Sequence, residues 1–103
     1  MPKSSAVVQL VTHPGRRDEL LDAFRSLERT VDEEPGTELY AVNVDRANEN
    51  AVWVFQLHRD EAALTEHSSS DAMKEFLRSV TELIAEPPVM VFATPVQAKG
   101  FEL

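Results

Sequence analysis

Hydrophobic residues recur along this chain with two different spacings, and the change between them separates the predicted elements. Alternation of period two, bounded by Pro and Gly, predicts four strands. The predicted strands span residues 6–13, 37–45, 51–58 and 89–96. Three- and four-residue spacing, with Asp60 and either Ser70 or Asp71 suited to be N-caps, predicts three helices. The predicted helices span residues 16–33, 61–67 and 70–85.

The resulting order, β-α-β-β-α-α-β, is typical of a ferredoxin-like α+β fold. In that fold a four-stranded antiparallel sheet carries its helices on one face. A length of 103 residues predicts one domain over residues 1–103. Several strands are apolar on both faces, so the face without helices needs a cover. A second copy packed sheet against sheet, as a two-fold homodimer, is the economical cover.

The charge and composition exclude several classes of function. The chain has 18 acidic and 10 basic residues, a formal net charge of -8, which argues against binding nucleic acid or anionic membranes. It has no cysteine, which excludes disulfides and thiolate metal sites. The sequence shows neither a signal-peptide core nor a membrane span, and we expect a cytoplasmic protein.

His67 is the first candidate for catalysis. A neutral imidazole can take the proton of a phenolic hydroxyl, and a quinol is far easier to oxidise once deprotonated. The alternative is that His67 only caps or packs the short helix. Because no two of His13, His58 and His67 have the spacing of a helical zinc pair, we expect no metal site.

Other residues are candidates for binding a flat aromatic ligand. Asn43 is a polar residue in an apolar strand and can orient a substrate oxygen, or else make a hydrogen bond at an edge or between subunits. The candidate walls are aromatic or flexible side chains that can also be plain core or dimer interface: Trp53, Phe55, Tyr40, Met73 and Phe76. His58 and Arg59 lie at a strand end near a possible cavity mouth. Arg59 can hold an anionic group there, or else be solvated or pair with a neighbouring acid.

An ordered set of short motifs resembles one known family. The set comprises Pro14-Gly15, Glu34-Pro35-Gly36-Thr37, and Asp60-Glu61-Ala62-Ala63-Leu64 followed by His67, Ser70 and Phe76. Over residues 7–96 the chain resembles the antibiotic biosynthesis monooxygenase family. The resemblance implies a dimeric α/β barrel that oxidises quinol- or anthrone-like aromatics with molecular oxygen, generally with no cofactor. A related branch cleaves haem, but its haem-ligating histidine would fall at about Leu77.

Two hypotheses follow, and a third is close to the first. The first is a cofactor-independent monooxygenase with a cavity between sheet and helices, in which His67 is the base and Asn43 orients the substrate. The second is a non-catalytic, stress-related or small-molecule-binding dimer of the same fold. An isomerase or lyase would need the same base but no oxygen. A cavity without a proton acceptor would favour the binding protein.

Overall fold

The predicted elements form in the predicted order in the computed structural model, which describes residues 2–103. The strands are β1 (Ser4–Val11), β2 (Thr37–Val44), β3 (Ala51–His58) and β4 (Val89–Ala93). The helices are α1 (Arg17–Asp32), α2 (Glu61–Ser68) and α3 (Asp71–Val80), followed by a 3-10 turn at Thr81–Leu83. The last helix and the last strand are shorter than predicted. No helix in the described part of the chain has the length and apolar character needed to cross a membrane.

The four strands form one antiparallel sheet in the order β2-β3-β1-β4. Val54 of β3 lies opposite Val42 of β2 and Val8 of β1, so these three side chains share a face. The helices cover this face. Their buried residues are Leu20, Phe24, Leu27 and Val31 of α1 and Phe76 and Val80 of α3. The α+β fold with helices on one side is therefore confirmed.

The opposite face of the sheet has no helix over it, yet it is apolar. Phe55 lies opposite Val7 on this face and is 45% exposed. Leu39 and Val91, 43% and 53% exposed, extend the same surface to both outer strands. The expectation that strands would be apolar on both faces is thus confirmed.

Helix α2 is held unusually close to the beginning of β2, because Gly36 has no side chain. A Cβ at Gly36 would lie 2.5 Å from the Cβ of Ala63 in α2. The Arg59 amide donates to the Gly36 carbonyl at 2.8 Å, and Asp60 accepts from the Ala63 amide at 2.8 Å as the predicted N-cap. This contact brings the C-terminal end of α2, with His67, against the turn that follows α1.

Candidate functional site

A cavity of about 230 Å³ lies between the helix layer and the sheet. It is lined mainly by apolar side chains from β1, β3, β4, α1 and α3. The lining residues are Val8, Leu10, Phe24, Tyr40, Val54, Gln56, His67, Ser68, Met73, Phe76, Leu77, Pro88, Met90 and Phe92. The predicted site residues that it brings together are His67, Tyr40, Met73 and Phe76.

His67 is the buried titratable residue in this lining, with 4% of its surface exposed. Its Nδ1 lies 2.7 Å from Oε1 of Glu34. Because a carboxylate oxygen accepts, Nδ1 carries the hydrogen and Nε2 keeps a free lone pair. Within residues 2–103 this buried Nε2 has no hydrogen-bond partner. The ring is therefore fixed in the tautomer that a general base at the cavity requires.

Glu34 is a candidate functional residue that the sequence pattern does not single out. It follows the end of α1, and the hydroxyl of Thr37 donates to the same Oε1 at 2.9 Å. In the sequence, Glu34-Pro35-Gly36 indicates only the end of a helix. The one feature that could have pointed to Glu34 is that it is an acidic residue within a motif that carries the family resemblance.

His58 lies inside the protein, and the expectation that it sits at a cavity mouth is wrong. It is fully buried, because it points from β3 toward the helix layer beneath α2. Its Nδ1 is 3.3 Å from Oγ1 of Thr37 and its Nε2 is 2.9 Å from Oε1 of Gln56. Its ring centroid is 5.2 Å from that of His67. Burial, and secondly the neighbouring His67, lower the pKa of His58.

Tyr40 forms the wall of the cavity beside His67, with their ring centroids 5.5 Å apart. Burial, and secondly the charge of Glu34, raise the pKa of Tyr40 to about 12. The phenol therefore stays protonated near neutral pH. Met73 and Phe76 complete this side, and the ring of Phe76 packs 4.6 Å from that of Phe24.

Trp53, Phe55 and Asn43 lie on the other face of the sheet, so they do not share a cavity with His67. Successive side chains in a strand point to opposite faces, and the helix-facing set of β3 is the one containing Gln56 and His58. Trp53 Nε1 donates to Asp45 Oδ2 at 2.8 Å, and Asn43 donates to the carbonyls of Ala41 and Trp53. These bonds tie down the β2–β3 hairpin.

Arg59 is also outside the lining. Its side chain is 57% exposed, with Nε 3.7 Å from Oδ2 of Asp60. The interpretation that pairs it with an acidic neighbour fits this position. Among residues 2–103, no cluster of three or more His, Asp or Glu side chains is arranged to hold a metal ion.

A larger groove of about 430 Å³ runs between α1 and the outer strand β2. It includes Tyr40, but its other polar residues are the surface charges Arg25, Glu28 and Asp32. It contains no histidine. The smaller cavity is the better candidate site, because it combines an apolar enclosure with an oriented base.

Known proteins share the fold of this chain. Residues 4–79 match the model of the family described as antibiotic biosynthesis monooxygenase. No curated protein matches the chain. A protein from Shewanella oneidensis is 26% identical, with a TM-score of 0.87 and a match covering 94% of each chain.

Two further similar structures are of proteins named as candidate antibiotic biosynthesis monooxygenases. A candidate antibiotic biosynthesis monooxygenase from Caulobacter crescentus is 24% identical, with a TM-score of 0.88, over 93% of this chain and 92% of that chain. Another, from Nitrosomonas europaea, is 13% identical, with a TM-score of 0.88, over 95% of this chain and 94% of that chain. At these identities the likeness shows a shared fold. Glu34, Gln56 and His67 all lie within the part that the family model matches.

Proposed function

Because the chain belongs to the antibiotic biosynthesis monooxygenase family, we propose that it oxidises a small, single-ring quinol with molecular oxygen. The observation that carries the proposal is the hydrogen bond from the buried His67, which lines an apolar cavity, to the partly buried Glu34. A carboxylate that fixes one ring nitrogen of a histidine leaves the other nitrogen free to accept a proton. His67 is the catalytic base in this proposal, and Glu34 positions it.

The base accounts for the first step. Nε2 of His67 takes a hydroxyl proton from the bound quinol and becomes an imidazolium, which the carboxylate of Glu34 stabilises. The quinolate anion gives up an electron to oxygen much more readily than the neutral quinol does. The apolar lining keeps water away from the reacting ring.

The overall reaction balances without an added reductant. A hydroquinone and one molecule of oxygen give a hydroxyquinone and one molecule of water. One oxygen atom forms a new bond to a ring carbon, the other leaves as water, and the ring supplies all four electrons. The proposed reaction therefore uses no cofactor.

The size of the cavity supports a single-ring substrate. An engineered cavity of about 150 Å³ in another protein holds benzene. A cavity of about 230 Å³ therefore has ample room for one ring with its substituents. A single-ring quinol is the simplest substrate of the class that the family resemblance implies.

We further propose that a second copy of the chain covers the open side. Phe55, Leu39 and Val91 form an exposed apolar surface on the helix-free face. Met90 and Phe92, which line the cavity from β4, are 54% and 60% exposed, so the cavity wall is incomplete there. Light scattering should give twice the mass of the chain, and Phe55→Asp should give the monomer. A monomeric wild type would remove this part of the proposal.

The test of the reaction is oxygen uptake by metal-stripped protein with a panel of hydroquinones. Uptake above the autoxidation blank should appear with the wild type and with His13→Ala, and should be lost in His67→Ala. His13 is a suitable control because it is an exposed histidine outside the cavity lining. Uptake that survives His67→Ala unchanged would remove His67 as the base.

A binding protein of the same fold is the second candidate, since most of the lining is apolar. Under that alternative the panel would show no uptake, although the protein would be folded and would bind the same compounds. Binding measured without oxygen shows that the compounds are ligands, and oxygen uptake by that same folded protein separates the two functions.

A further inference from the structure

We propose that Gln56 is a second polar anchor of the cavity, which binds the ligand oxygen remote from His67. His58 is the positioning residue that holds the Gln56 amide. The class of ligand in this inference is taken from the proposed function. The choice of residues follows from the geometry of β3.

Gln56 stands out because of where it lies. It is a polar residue on the helix-facing side of β3, between the buried residues Val54 and His58 on the same face. Its side chain lines the cavity together with His67. Across the strands it lies opposite Ala6 and Tyr40. An amide in such an apolar lining costs free energy unless both its polar groups have partners.

The hydrogen bond to His58 occupies one of these groups. Nε2 of His58 lies 2.9 Å from Oε1 of Gln56, so the amide oxygen accepts from the ring. The amide nitrogen, with two N–H donors, remains for the cavity. His58 is fully buried and contacts Thr37 through its other nitrogen, so it cannot swing away to solvent. The amide is therefore held in place before a ligand arrives.

Polar contacts connect the two ends of the cavity. Glu34 accepts from Nδ1 of His67 and from the Thr37 hydroxyl, and Nε2 of His58 donates to Gln56. Oγ1 of Thr37 lies 3.3 Å from Nδ1 of His58, a polar contact that joins these two sets of bonds without a further hydrogen. One end offers an acceptor, Nε2 of His67, and the other end offers a donor, the Gln56 amide. A ring with two oxygen substituents satisfies both ends. One hydroxyl donates to His67, and the other oxygen accepts from Gln56.

The hydrogen bond between Gln56 and the ligand oxygen persists when the ligand is oxidised. As the quinol becomes a quinone, its second hydroxyl becomes a carbonyl, which still accepts from an N–H donor. A phenol, which has one oxygen, can use only the His67 end. The anchor therefore predicts a preference for dihydroxy over monohydroxy rings.

The experiment is calorimetric binding of hydroquinone and phenol without oxygen. We expect the wild type to bind hydroquinone about tenfold more tightly than phenol, because roughly one additional hydrogen bond stabilises the complex. Gln56→Leu should bind both compounds with the affinity that the wild type has for phenol. Gln9→Leu, the same change on the opposite face of the sheet, should keep the tenfold preference. A preference that survives Gln56→Leu, or a wild type without one, would overturn the anchor.

The role of His58 has its own pair of variants. His58→Ala should lose the preference for hydroquinone, because nothing then holds the amide. His58→Gln, whose terminal N–H can replace that of Nε2, should restore a large part of it without changing phenol binding. If both variants fold and both keep the full preference, His58 does not position Gln56.

Oxygen uptake separates this proposal from the proposed reaction. A preference for hydroquinone that depends on Gln56, without oxygen uptake, would support Gln56 as the anchor and rule out the monooxygenase reaction. Oxygen uptake that depends on His67, with a preference for hydroquinone unaffected by Gln56→Leu, would support the reaction and rule out Gln56 as the anchor.

Discussion

Nδ1 of His67 lies 2.7 Å from Oε1 of Glu34, although 33 positions separate the two residues in the chain. The contact joins the turn after α1 to the last turn of α2. It depends on the close approach of Gly36 to Ala63, which sets the height of α2 over the sheet. The hydrogen bond adds to the packing of the buried residues Ala63 and Leu64 and fixes the orientation of this short helix.

Removing the charge of Glu34 should slow the proposed oxidation. Glu34→Gln cannot stabilise an imidazolium, and its amide can donate to Nδ1 and so place the hydrogen of His67 on Nε2. We expect oxygen uptake to fall roughly a hundredfold. The control is Glu33→Gln, which makes the same change at an exposed neighbour. Equal uptake in the two variants would contradict a role for Glu34.

Gly36→Ala should destabilise the protein by about 1–3 kcal/mol, because the new Cβ overlaps Ala63. Urea denaturation measures this loss. The matched background is Ala63→Gly, which itself costs about 1 kcal/mol as a glycine in a helix. In that background Gly36→Ala should cost little more, since the overlapping atom is gone. A full additional loss there would mean that the effect has another cause.

Stability should fall below about pH 6.5 because of His58. Burial lowers the pKa of His58 in the folded protein, so the unfolded chain binds a proton that the folded protein does not. Stability then rises with pH through the window between the two pKa values and is lost as the pH falls. Urea denaturation at several pH values should show a flatter slope for His58→Gln than for wild type or His13→Gln. Identical slopes would show that His58 is not the group responsible.

Tyr40 should resist ionisation. It is the one tyrosine of the chain, and its pKa is raised from 10.0 to about 12. Its contribution to stability is complete below pH 10 and is lost as the pH rises toward 12, because the unfolded chain ionises first. Ultraviolet titration of the phenolate should show little ionisation at pH 10 in the folded protein and about half in urea. Half-ionisation at pH 10 without denaturant would place Tyr40 in solvent.

The sequence was sufficient to predict the sheet, because alternation and helical spacing are properties of neighbouring residues. Alternation in β1 places Ala6, Val8 and Leu10 on one face, and all three are buried. The boundaries differ where the chain alone does not decide them. The last helix was predicted to continue to about residue 85, but it ends at Val80 and becomes a 3-10 turn.

The site was only partly predictable, because it depends on which face the helices cover. Trp53 and Phe55 were favoured for their aromatic rings, whereas the helix-facing positions of β3 belong to Gln56 and His58. The helix carrying His67 was too short to reveal whether the ring points inward. Glu34 could be recognised only when α2 and the turn after α1 were placed together.

The exposed strand β4 bears on how the chain avoids aggregation. Val89–Ala93 is apolar, exposed on both faces and paired with β1 along one edge, so its other edge is free to template a foreign strand. Steric zippers form from uncharged apolar segments of about six or seven residues without proline. Here Pro88 and Pro95 bound the segment and remove backbone donors on either side. Replacing either proline would lengthen a segment that amyloid could recruit while the chain is newly made and unpaired.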